Sequence, residues 1–314
     1  MAEPKRPMDG PKERVSEELS RQRLVHRYIA PKFKSRESNG NRTMTQRVFI
    51  TGGASGLGRA IALRYAKEGA KVCIGDISAE QGILVEAELN KAGGEGYFVE
   101  CDVRRLTDLE KICAELTEKW GGIDIVVNNA GVASAGSIEE TTMADWEWIL
   151  DINVLGVVRG CKAFTPQFKK QGAGAFVNVA SMAGLMLAPL MDSYNVSKAG
   201  VIALSETLTQ ELRDSGIHVS CVCPAFFQTN LTSTMRSDIP GIQQNINKLM
   251  KRSEITAEDV AEDVFRAVEN GDFWVLPHAK ERRMWVLKRH APKAFDWLMH
   301  KESKRWMKKM GGAA

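Results

Sequence analysis

Between residues 47 and 277 the spacing of apolar positions switches back and forth between two patterns. Short runs rich in Val, Ile, Phe and Cys (RVFIT, KVCIGD, GYFVECDV, IDIVVNNA, AFVNVAS, HVSCVCPA and FWVLP) alternate with longer stretches such as GLGRAIALRYAKEG and LTDLEKICAELTEKWG. The short runs read as strands, and the long ones, with apolar residues every three or four positions, as amphipathic helices. Strands that alternate with helices need crossover connections, and crossovers give a parallel sheet with helices on both faces. An α/β fold with a doubly wound, seven-stranded parallel sheet is therefore expected.

The two ends depart from this pattern. Residues 1–46 are polar and hold Pro4, Pro7, Pro11 and Pro31, with one helix candidate, SEELSRQRLVHRYIA, over 16–30. They read as a flexible or partly helical arm. Met44 stands just before the first strand, so residues 1–43 read either as part of the protein or as an upstream extension of the reading frame. In residues 278–314, Phe295, Leu298, Met299, Trp306, Met307 and Met310 recur at helical spacing among Lys and Arg. That is an amphipathic helix with a basic rim.

Charge sharpens the division. Residues 1–46 carry 11 Lys/Arg against 6 Asp/Glu and residues 280–314 carry 11 against 3, whereas residues 47–279 carry 21 against 30. An acidic body lies between basic ends. Of three partners for the tail, an anionic membrane surface is preferred to another subunit, and both to nucleic acid, for which no reading element is visible. A composition of 44% hydrophobic and 26% charged residues is that of a globular protein. No apolar run is long enough to span a bilayer, and the N-terminus has no signal core. The six cysteines show neither metal-ligand nor disulfide-framework spacing, and no metal is expected. A cytoplasmic protein, peripheral on a membrane if the tail binds one, fits these features.

The chemistry begins at VFITGGASGLG, where Gly52, Ser55, Gly56, Leu57 and Gly58 join the first strand to the first helix. Glycines there permit a tight turn and a close approach to a pyrophosphate, which the amides of the helix start can bind. Asp76, at the end of the second strand, is placed to accept hydrogen bonds from an adenosine ribose and to repel a 2′-phosphate. NAD is thus favoured over NADP. Further on, Tyr194 and Lys198 are four positions apart, so on a helix they share a face, and Ser181 precedes them. A neighbouring ammonium lowers the pKa of a phenol, which suits Tyr194 to exchange a proton with an alcohol or a carbonyl while Ser181 orients the oxygen.

TGGASGLG, NNAG at 128–131, Asn153 in DINVLG, Ser181 and YNVSK at 194–198 together resemble the short-chain dehydrogenase/reductase family. The resemblance covers about residues 47–277 and implies a Rossmann-type domain that holds a nicotinamide cofactor and works without metal. It implies that Lys198 grips the nicotinamide ribose and that Asn153 holds a water linking Lys198 to solvent. By the same resemblance Asp102 and Val103 contact adenine, Asn129, Ala130 and Gly131 border the cofactor, and Pro224 and Thr229 frame the nicotinamide. Ala225 stands where the family has glycine. A homodimer or homotetramer is also implied.

The segments that follow Ser181 and PAFFQT are apolar, and Leu185, Met191, Phe226, Phe227 and Met235 are the expected substrate pocket. Neither segment places an obvious arginine to clamp a carboxylate, which favours a lipophilic alcohol or ketone. The expected function is NAD-dependent interconversion of a secondary alcohol and a ketone. The alternative is a catalytically silent nucleotide sensor or scaffold on the same fold.

Overall fold

A computed structural model describes residues 45–310. The N-terminal arm, with the helix expected over 16–30, and residues 311–314 lie outside the described residues. The chain runs through β1 (Arg47–Thr51), α1 (Gly56–Ala66), β2 (Lys71–Asp76), α2 (Ala79–Lys91), β3 (Glu95–Glu100), α3 (Leu106–Trp120) and β4 (Ile125–Asn128). Then come α4 (Met143–Leu150), a π-helical turn (Asp151–Leu155), α5 (Gly156–Gln171), β5 (Gly174–Val179), the short α6 (Ala183–Met186), α7 (Asp192–Leu212) and β6 (Ile217–Val222). The last elements are α8 (Ile242–Met250), α9 (Ala257–Asn270), β7 (Trp274–Val275), α10 (Ala279–His290) and α11 (Pro292–Met310).

All seven strands pair in parallel, in the order β3-β2-β1-β4-β5-β6-β7. β1, β4, β5 and β6 are buried along their length, as continuous apolar runs require, whereas β3 at the edge is partly exposed. On one face Ile61 and Tyr65 of α1, Val85 and Leu89 of α2 and Val264 of α9 close over the sheet. On the other face Leu116 of α3, Phe164 and Phe168 of α5 and Val201 of α7 do so. The order of connection reverses between β1 and β4, so their carboxyl ends flank the crevice where open α/β sheets bind ligands. The glycine turn follows β1, and NNAG ends β4.

All six cysteines are buried and unbridged. Cys221 and Cys223, two apart along one strand face, have sulfurs 3.9 Å apart.

The tail forms two helices, broken where Ala291 leaves helical geometry before Pro292. Its apolar stripe is not free for a bilayer. Phe295 is buried, Leu298, Met299, Trp306 and Met307 are half-buried, and Trp306 and Met307 pack on Ile239, Ile242, Ile246 and Met250. The stripe expected to face a membrane therefore covers the chain's own body, because that body has an apolar surface of its own to bury. Among the described residues no helix is long and apolar enough to cross a membrane.

Candidate active site

The glycine turn is bolted to the end of β4. Thr51 Oγ1 accepts the amides of Asn129 and Ala130 at 3.0 and 3.1 Å, and Asn129 Nδ2 donates to the carbonyls of Thr51 and Gly52 at 2.9 and 3.0 Å. Gly52 has φ +63°, and a Cβ there would lie 2.8 Å from the Ala130 Cα, while a Cβ on Gly58 would lie 2.2 Å from the Gly52 carbonyl oxygen. Both contacts are too short for any side chain. Gly56, at φ +52°, is different: a Cβ would meet only Thr229, at 3.7 Å. Space is thus kept above the turn, at the open amino end of α1, as a pyrophosphate requires. Asp76 accepts the amides of Ala54 at 3.0 Å and Ser78 at 3.1 Å, which fixes its carboxylate beside the turn. Ser55 is exposed at the helix start, and Leu57 and Val103 are buried. Asp102 is clasped by Arg104 at 2.7 Å, which holds its carboxyl below the usual range.

The polar group in the core beneath belongs to α7. Asn128 Nδ2 donates to Asn178 Oδ1 at 2.8 Å, and Asn178 Nδ2 donates to Ser205 Oγ at 3.0 Å, tying β4 and β5 to the helix that carries Tyr194 and Lys198. A Cβ on Gly160 would strike Asn128 Oδ1 at 2.0 Å, so α5 can pass only as glycine. Asn153 lies on the π-helical turn, an irregularity common at functional positions. It is fully buried, accepts the Val132 amide at 2.8 Å and donates to the Val132 carbonyl at 2.9 Å and to Ser197 Oγ at 3.0 Å. Asn153 and Lys198 converge on Gly131, where a Cβ would lie 3.1 Å from Asn153 Oδ1 and 3.4 Å from Lys198 Nζ. Lys198 Nζ donates to the Val179 carbonyl at 3.0 Å and stands 5.8 Å from the centre of the Tyr194 ring. Ser181 Oγ accepts the Ala183 amide at 3.0 Å and points its proton to the Pro224 carbonyl at 3.3 Å.

Burial sets the protonation of this group. It pushes the Tyr194 phenol up to about 12, with the nearby Ser181 hydroxyl acting the other way, and brings the Lys198 ammonium down to about 8. The direction for Tyr194 is opposite to that expected from a neighbouring ammonium. Desolvation of the fully buried phenol is the larger effect, and Lys198 Nζ, 5.8 Å from the ring centre, donates to the Val179 carbonyl.

The family model for short chain dehydrogenases matches residues 46–240. The chain belongs to this family. A short-chain dehydrogenase/reductase of Burkholderia phymatum, solved in complex with NAD, is 29% identical with a TM-score of 0.75, over 80% of this chain and 95% of that one. An uncharacterized oxidoreductase of Thermotoga maritima is 38% identical over 205 residues, 65% of this chain and 81% of that protein. A 3beta-hydroxysteroid dehydrogenase of Mediterraneibacter gnavus is 37% identical over 193 residues, 61% of this chain and 70% of that protein. The protein is thus an oxidoreductase of the class that acts on CH–OH groups.

The substrate side of this short-chain dehydrogenase divides the residues expected there. Met191 packs with Tyr194, Ala133 and Ile149, and Met235 lies against that cluster. Phe226 and Met235 also pack on the cluster of Leu190 and Ile239. Leu185 and Phe227 are not brought to Tyr194. Leu185 packs on the core under α5 and α7, and Phe227 joins the opposite core layer, with its ring 6.3 Å from that of His278. Phe226 and Phe227 lie on an irregular, bent stretch after β6 and enter different clusters.

Three residues not expected to act at the site lie beside it. Thr51 holds the turn, as described. His278 Nδ1 accepts the amide of Ala225 at 3.2 Å, which fixes the backbone at the position where the family has glycine. Trp306, from α11, reaches the Tyr194 cluster.

Proposed function

We propose that this enzyme interconverts a secondary alcohol and a ketone on a lipophilic substrate, with NAD as cofactor and Tyr194 as the acid/base. The observation that carries the reading is the burial of Tyr194 and Lys198 on one face of α7, beside Ser181 and against an apolar cluster. A nicotinamide bound in the crevice would supply the hydride acceptor for oxidation and the donor for reduction. Ser181 Oγ orients the substrate oxygen. In oxidation Tyr194 takes the hydroxyl proton as the C–H bond is lost, and in reduction it returns a proton to the carbonyl oxygen. Lys198 holds the ribose and passes the proton on through a water at Asn153.

The residues fit the dinucleotide. Gly52, Ser55, Gly56, Leu57 and Gly58 would hold the pyrophosphate, Asp102 and Val103 the adenine, and Asn129, Ala130, Gly131, Pro224 and Thr229 the nicotinamide half. Asp76 supports NAD over NADP, because a carboxylate accepts from a ribose hydroxyl and repels a phosphate. The apolar character of Met191, Phe226 and Met235 supports a lipophilic substrate, as does the similarity to a steroid dehydrogenase.

A panel of apolar secondary alcohols and ketones, followed by NADH absorbance, tests the reading. Turnover of apolar members with NAD preferred to NADP is expected. Binding of NADH without turnover of any member would instead favour the silent-scaffold alternative.

A further inference from the structure

The apolar stripe of α11 ends on the catalytic tyrosine's own cluster. Trp306 packs against the cluster formed by Ala133, Ile149, Met191 and Tyr194, and its ring stacks on Phe226 with centroids 6.0 Å apart and an interplanar angle of 21°. Its Nε1–H donates to the Pro189 carbonyl at 3.1 Å. One indole therefore touches both substrate-side segments, the one before α7 through Pro189 and the one after β6 through Phe226. The neighbouring Met307 packs with it on the cluster of Ile242, Ile246 and Met250, which pins the helix end to α8. At the other end of the tail, α10 is tied to the same substrate-side segment, since Lys288 Nζ donates to the Leu185 carbonyl at 2.6 Å.

We infer that the C-terminal extension is a built-in wall of the substrate pocket and that Trp306 is a specificity-determining residue. This rests on the proposed alcohol–ketone reading and adds to it the part that limits substrate size. An indole is large, rigid and apolar, with a single polar edge. Here that edge is satisfied by Pro189, so the indole offers a substrate beside the Tyr194 cluster only apolar contact. Substrates whose apolar body fits beneath the ring gain from it, and bulkier ones meet it. The wall is held at three places independent of the cofactor turn, namely Pro189, Phe226 and the α8 cluster. Its removal should thus alter substrate choice without altering cofactor binding.

The test uses the full chain and a series of ketones of rising bulk, from 2-butanone through cyclohexanone and 2-decalone to a 3-ketosteroid, with NADH. Trp306→Ala is expected to raise kcat/KM for the bulkiest substrates relative to the smallest by at least about tenfold, the scale on which apolar pockets discriminate by a few methylenes. The dissociation constant for NADH should stay within about twofold. Should Trp306→Ala fail to fold, Trp306→Leu, which keeps apolar volume on the helix, serves with the same readout. A change in kcat/KM by one common factor across the series would overturn the inference, since that is what a merely structural tryptophan produces. Tyr194→Phe in the same series separates the two readings: if it keeps turnover while Trp306→Ala shifts the ratio, the wall stands and the acid/base assignment falls. A wild-type enzyme inert to the whole series removes both.

Discussion

Tyr194 is buried deeply enough that its phenol, pushed up to about 12, is protonated at neutral pH. In the acid/base role proposed for it, that form would give a proton to a carbonyl, whereas oxidation of an alcohol would need the deprotonated oxygen. Initial rates of alcohol oxidation should therefore rise with pH between about 7 and 10, while those of ketone reduction should not rise. A fall of oxidation over that range would remove Tyr194 as the base. Tyr194→Phe keeps the packed ring and removes only the oxygen, so turnover should drop by about 10²–10⁴-fold with NADH affinity retained, measured by fluorescence titration. Gly58 carries the cofactor side of the argument. Because its Cβ would lie 2.2 Å from the Gly52 carbonyl, Gly58→Ala must displace the turn. It should cost about 1–3 kcal/mol in chemical denaturation and weaken NADH binding. Much of this was legible in the chain, since glycine spacing and the Ser, Tyr and Lys positions are local in sequence. The rise in the tyrosine pKa was not, because it depends on what surrounds the ring.

At the scale of elements, the alternation of strand and helix was readable because the central strands are buried on both faces and the helices that cover them on one, so the period changes at their junctions. The stretch after β6 is bent and irregular, so no period tells which way its side chains face. Phe226 and Phe227 look alike as a pair, yet one packs near Trp306 and the other on the opposite core layer. His278 escaped notice for a related reason: a lone histidine before a helix carries no pattern. Its Nδ1 can accept the Ala225 amide only while unprotonated, and burial lowers its pKa, with Glu281 and Asp263 pulling weakly the other way. The unfolded chain thus binds a proton more readily than the folded one. The stabilisation from this ring is complete above the ordinary histidine pKa and is lost as pH falls through the lower folded value. Urea midpoints taken across acid pH should decline, and decline less in His278→Ala. At neutral pH His278→Ala, which leaves the Ala225 amide without an acceptor, should cost about 1–3 kcal/mol.

For the whole molecule, the amphipathic tail shows how far sequence pattern reaches. A stripe of Phe, Leu, Met and Trp among lysines predicts that something apolar lies opposite, but a bilayer, another subunit and the chain's own body satisfy the pattern equally. The body is what the stripe meets. The outward side of the tail keeps Lys280, Arg282, Arg283, Arg289, Lys293, Lys301, Lys304, Arg305 and Lys308 exposed, with Trp297 at 70% exposure among them. Attraction to anionic lipid therefore remains a proposal for the charge alone, at about 1 kcal/mol per basic residue close to the surface. Burial of the stripe in lipid would require Trp306 and Met307 to leave their contacts on the body. Co-sedimentation with phosphatidylserine vesicles should accordingly be strong at low salt and abolished near about 0.5 M, where screening shortens the reach of surface charge to a few ångströms. Neutral vesicles should bind nothing. Binding that survives high salt would mean that α11 peels away and inserts. In that case vesicles should also reproduce the substrate shift expected for Trp306→Ala, because the same movement would take the indole off the Tyr194 cluster.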